Sequence, residues 1–211
     1  KELYTVEFPT LGPFDMTFTP DGKRIVVGLM DQTVRVLDAK TRKELLVLKG
    51  HEQTVSCVAV SPDGKFIASG STCHIEGRDA FDKKAKGHLR LWDAATGKQL
   101  WASDVYSGVG SVSISPDGKR IATGNGSSFE SRIMVWELES GKELHTAACD
   151  KTDFLRAAYS PDGKYLAWLS MATPGFEADR LQLVVQDRAS GKRTTLTPTW
   201  TLSVGDIHWF P

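Results

Sequence analysis

The sequence predicts an all-β repeat protein: a β-propeller of four-stranded antiparallel blades. It has four full blades, a leading outer strand and a trailing inner strand, in a partial or open ring. Three observations predict it. A turn tetrapeptide returns as Thr19-Pro20-Asp21-Gly22, Ser61-Pro62-Asp63-Gly64, Ser115-Pro116-Asp117-Gly118 and Ser160-Pro161-Asp162-Gly163, and a fifth copy begins at Phe210-Pro211. Its prolines, at positions 20, 62, 116, 161 and 211, recur every 42 to 54 residues, a period that belongs to solenoids, propellers and arrays. Around each tetrapeptide stand short runs of β-forming residues bounded by turn residues, four to a repeat.

Taken in order, residues 1–8 align with the outermost strand of a repeat, matching Lys142-Glu143-Leu144-His145. Blade one is expected over about residues 13–51, blade two over 53–105, blade three over 107–150 and blade four over 153–200. Residues 203–211 start a further blade, all within a single domain of 1–211. Blade two displays its strands most clearly: a over 55–60, b over 65–70, c over 88–93 and d over 99–103. Proline presets the second position of the a–b turn, aspartate suits the third, and glycine takes the positive φ that follows, so this link is a tight hairpin. The c–d link carries its own glycine at Gly97, Gly141 and Gly191, whereas Thr41-Arg42-Lys43 lacks one.

Strands a and b hold small side chains, and c and d hold Leu and Trp, as expected for sheets radiating from a crowded axis. The runs are nearly continuous in apolar residues, which implies that both faces of each sheet are buried against neighbours. A lone d strand and a lone a strand lack the b and c between them, so the chain is expected to be part of a larger ring. Closure by four blades with spare strands, or assembly from several chains, are the alternatives.

These units resemble the WD repeats of β-propellers. The resemblance rests on Gly50-His51, the Pro-Asp-Gly turns, Leu91-Trp92-Asp93 and Val135-Trp136-Glu137, with Val36-Leu37-Asp38 and Val185-Gln186-Asp187 as degenerate copies. It covers nearly the whole chain. In that family a blade can hold a structural hydrogen-bonded relay of histidine, serine or threonine, aspartate and tryptophan. The resemblance implies His51, Ser69 and Trp92 for blade two, Asp31 alone for blade one, Thr123 and Trp136 for blade three, and none for blade four. The last quarter, through Tyr165-Leu166-Ala167-Trp168, residues 174–180 and 183–192, and residues 204–211, is also similar to the propellers that precede the hydrolase domain in prolyl-oligopeptidase-family enzymes.

Lysine plus arginine and aspartate plus glutamate both number 26. The chain therefore has no overall field to attract nucleic acid or a membrane surface, and neither is expected as a partner. Cys57, Cys73 and Cys149 are too few for a disulfide scaffold and lack metal-ligand spacing, which points to a reducing, cytoplasmic setting. No apolar run reaches the length of a membrane span, and no signal peptide is evident. Cys73, His74 and His88 are weighed as metal ligands and set aside, because adjacent side chains diverge and a fourth ligand is missing. No Gly-x-Ser-x-Gly elbow occurs, and no helix follows the glycines of 124–126 to bind phosphate, so neither catalysis nor a cofactor is expected.

The a–b and c–d turns make one rim nearly uniform. The b–c links on the other rim differ: residues 29–32 are short, whereas 71–87, 125–131 and 170–179 are long. Loops on a rigid scaffold are where binding residues concentrate. The candidate partner-binding residues on this b–c and d–a rim are His74, Arg78, Phe81, Lys83, Lys84, Tyr106, Phe129, Phe176, Glu177, Arg180 and Trp200. The function expected is a non-catalytic scaffold that binds a protein or peptide, another domain, or another copy of the chain. The alternatives are a substrate-gating propeller of a prolyl-oligopeptidase-like serine hydrolase, and an engineered or excised fragment without a selected partner.

Overall fold

Every Pro-Asp-Gly tetrapeptide closes a hairpin, and the hairpins build four sheets. The computed structural model describes residues 12–72, 86–106, 108–126, 131–149, 156–171, 181–197 and 207, except the side chains of Lys86, Tyr106, Cys149 and Met171. Sheet one contains β1 (Pro13–Phe18), β2 (Arg24–Leu29), β3 (Thr33–Asp38) and β4 (Glu44–Lys49). Sheet two contains β5 (Val55–Val60), β6 (Phe66–Ser71), β7 (Lys86–Asp93) and β8 (Gln99–Tyr106). Sheet three contains β9 (Gly108–Ile114), β10 (Arg120–Gly126), β11 (Ser131–Glu137) and β12 (Glu143–Cys149). Sheet four contains β13 (Ala157–Tyr159), β14 (Tyr165–Met171), β15 (Leu181–Asp187) and β16 (Arg193–Thr195). Each sheet is a four-stranded antiparallel meander in chain order, as the repeat predicts. The expected outer strand over 1–8 lies outside the described residues, as does the inner strand over 203–211 apart from Ile207.

Turn chemistry repeats atom for atom. In the four tetrapeptides the glycine sits at φ between 66° and 72°, and its N–H donates to the Ser or Thr carbonyl three residues back at 2.8 Å. The aspartate Oδ1 accepts from the Ser or Thr hydroxyl at 2.5–2.7 Å. It also accepts the lysine N–H two residues on at 3.0–3.1 Å. The serine hydroxyl holds the Asp162 carboxyl down at a pKa of about 2, with help from the Lys164 N–H. The aspartate ending three of the four c strands does the same for the c–d turn: Asp93 Oδ1 takes the N–H and hydroxyl of Thr96, both at 2.7 Å. Asp38 and Asp187 treat Thr41 and Ser190 alike.

A register shift falls at the same place in three c–d pairings, at Val36/Leu37, Leu91/Trp92 and Val135/Trp136. Such a bulge sharpens local twist, and here it accompanies the side chain at the tryptophan position. The core lies between sheets. Val26, Val34, Val36 and Leu48 of sheet one pack with Val55, Val58, Ile67 and Trp92 of sheet two. The next joint sets Ala68, Leu89 and Leu91 against Val109, Ile121, Met134 and Trp136. The third sets Ala122 and Ile133 against Ala157, Tyr159, Leu166 and Trp168. Burial of both faces therefore holds for the middle sheets, each with a neighbour on either side. It does not hold along β1, where Phe14, Met16 and Phe18 are exposed, and β15 is only half-buried.

The inner strands are also stitched to one another. Asp15 Oδ2 accepts the Val58 N–H at 2.9 Å, and the Ser56 hydroxyl donates to the Val109 carbonyl. Ser111 and Ser113 accept the N–H groups of Ala157 and Tyr159 at 2.8 and 3.2 Å. These bonds tie each inner strand to the next and bring them around a cavity of about 590 Å³ lined by Asp15, Ser56, Cys57, Ser111, Arg156 and Ile207, among others.

Candidate functional site

The relay residues are described, and their geometry is that of a structural joint. Ser69, in the middle of β6, is fully buried and sits between Trp92 and His51. Trp92 Nε1–H donates to Ser69 Oγ at 2.8 Å, and Ser69 Oγ lies 2.6 Å from His51 Nε2. The hydroxyl has two lone pairs, so the imidazole tautomer sets which group donates across this contact, and the other ring nitrogen is Nδ1. That nitrogen is buried and meets no hydrogen-bond partner among the described residues. Burial, and then the positive charge of Arg90, push the His51 pKa down to about 3. The ring is therefore neutral, an uncharged filler beside Trp92 with ring centroids 6.1 Å apart.

The other blades keep fragments of this arrangement. In sheet three Trp136 Nε1–H donates to Thr123 Oγ1 at 3.1 Å. Asp31 has no relay to join, since Val27 and Leu37 stand at the serine and tryptophan positions. Its carboxylate instead accepts from Thr33 and pairs with Arg35 at 3.0 Å. In sheet four Trp168 fills the serine position, buried with the Arg193 guanidinium 5.4 Å over its ring. All of these groups are engaged in local hydrogen bonds, an ion pair or packing.

Antiparallel order places the a–b and c–d turns on one rim and the b–c and d–a links on the other. The strands deliver the b–c links at residues 30–32, 72–85, 127–130 and 172–180. His74, Arg78, Phe81, Lys83, Lys84, Phe129, Phe176, Glu177, Arg180 and Trp200 lie outside the described residues. Tyr106 ends β8 on this rim. His88 stands at the start of β7 there, with its N–H donating to the buried Ser71 hydroxyl at 3.0 Å and its Nε2 3.5 Å from Asp104 Oδ1. Cys73 and His74 are outside the described residues, and among those described no group of three or more His, Cys, Asp or Glu is placed to hold a metal. Burial, then the Asp15 charge, push the Cys57 thiol up to about 12, so it stays protonated and inert at neutral pH.

The sequence reading missed the residues facing the central cavity, Asp15, Ser56, Ser111 and Arg156. Three of them sit on an inner strand, so polar side chains inside otherwise apolar a runs were the available signal. Their bonds to neighbouring backbones give Asp15, Ser56 and Ser111 a structural task.

Comparison with known proteins agrees with this architecture. The WD40 family model (WD domain, G-beta repeat) matches residues 2–38, 42–93 and 100–137. The chain is 36% identical over 131 residues to dipeptidyl-peptidase 5 of Porphyromonas gingivalis, which covers 55% of this chain and 19% of that protein. It is 28% identical over 145 residues to periodic tryptophan protein 2 of Saccharomyces cerevisiae, covering 68% and 14%. It is 33% identical over 121 residues to the small ribosomal subunit protein RACK1y of Oryza sativa subsp. japonica, covering 57% and 31%. The chain thus spans less than a third of the length of these curated relatives. Among solved structures, the WD40 repeats of RRP9 superpose with a TM-score of 0.67 at 16% identity, covering 90% of this chain and 52% of that one. With four meander sheets stacked face to face and the family model matching more than half of its residues, the chain belongs to the WD40 repeat family of β-propellers.

Proposed function

We propose that this chain is a non-catalytic interaction scaffold that binds a protein or peptide through the rim formed by its b–c and d–a links. Propellers of the family typically serve as interaction scaffolds and commonly bind proteins. The observation that carries the rim reading is the contrast between the two rims. The turn rim spends its polar groups on the same internal bonds in all four sheets. On the opposite rim, three of the four b–c links are long and unlike one another in sequence. Among the residues of those links, Phe81, Phe129 and Phe176 offer aromatic anchors of the kind that dominate interface energetics. Affinity for a captured partner should fall at least about tenfold when the three are changed to alanine together. Lys65→Ala and Lys119→Ala on the turn rim should leave it unchanged. Binding that survives the triple variant contradicts the rim proposal.

A second reading is favoured by one observation, the 36% identity to a dipeptidyl-peptidase over 131 residues. In it the propeller admits or positions peptides for a hydrolase domain. Peptide that binds the chain at its central cavity, with loss on Arg156→Ala and no loss in the triple phenylalanine variant, supports this reading over the first.

A further inference from the structure

We draw no further inference here: the strongest candidate, the apolar strip of Phe14, Met16 and Phe18 along the inner strand of sheet one, is exposed where its counterparts in the later sheets pack against a neighbour, but nothing in the structure shows what covers it.

Discussion

Ser69 holds the joint between the first two sheets, because one hydroxyl satisfies two aromatic side chains that are otherwise sealed from water. Ser69→Ala leaves the Trp92 N–H and His51 Nε2 buried and unpaired, and should cost about 2–4 kcal/mol in urea unfolding. Thr123→Val strands only the Trp136 N–H and should cost about half as much. His51 makes the same joint sensitive to acid. Its folded pKa of about 3 lies below the ordinary value of 6.5, so below pH 6.5 the unfolded chain takes up a proton that the folded chain refuses. Stability is then lost as pH falls from about 6.5 toward 3, by up to about 1.4 kcal/mol per pH unit. Hydrogen bonds lower the turn aspartates from their ordinary value, so their share of stability is lost only as pH nears that ordinary range, and unfolding midpoints between about pH 6.5 and 4.5 report on His51. His51→Gln should flatten that slope; an unchanged slope assigns it elsewhere. The relay residues were legible in the sequence because Gly50-His51 and Leu91-Trp92-Asp93 keep the family spacing. That Nδ1 meets no partner among the described residues was not, since packing and not spacing decides it.

At the scale of elements, the turns carry most of the information. The Pro-Asp-Gly hairpins could be read directly, since proline, aspartate and glycine each meet a separate backbone demand within four residues. The c–d turns are less forgiving than their sequence suggests. Gly141 has φ 69°, and a Cβ there would lie 2.7 Å from Trp101 Cδ2, whose indole N–H is itself bonded to the Leu138 carbonyl across the joint. Sheet one has Arg42 in the same turn position at φ 63°, where a side chain costs about 1–2 kcal/mol. Arg42→Gly should therefore raise stability by about 0.5–1 kcal/mol, less than the full strain because glycine loses more freedom on folding. Gly141→Ala should lower stability by more than that, and the two melting curves should shift in opposite directions. The bulge at the tryptophan position left no local mark in the sequence, and the polar residues of the inner strands did not name the partners they bond. Both the bulge and those bonds arise from how one strand sits on the next.

Over the whole molecule, the fold was legible, whereas the functional surface is a proposal. Period and turn chemistry are local signals repeated four times, so errors in one repeat are corrected by the others; the degenerate copies around Leu37 and Gln186 still fold into sheets of the same order. The b–c links have no such redundancy. Each occurs once, with its own length and composition, and partner choice depends on side chains that no repeat constrains. Near-zero net charge adds no long-range steering, so under the rim proposal recognition rests on contacts there. Hydrogen exchange of the chain with and without a bound protein partner tests this most directly. The account predicts new protection across residues 72–85, 127–130 and 172–180, with the turns at 19–24, 61–66, 115–120 and 160–165 unchanged. Protection confined to those turns, with the three links exchanging as in the free chain, would contradict it.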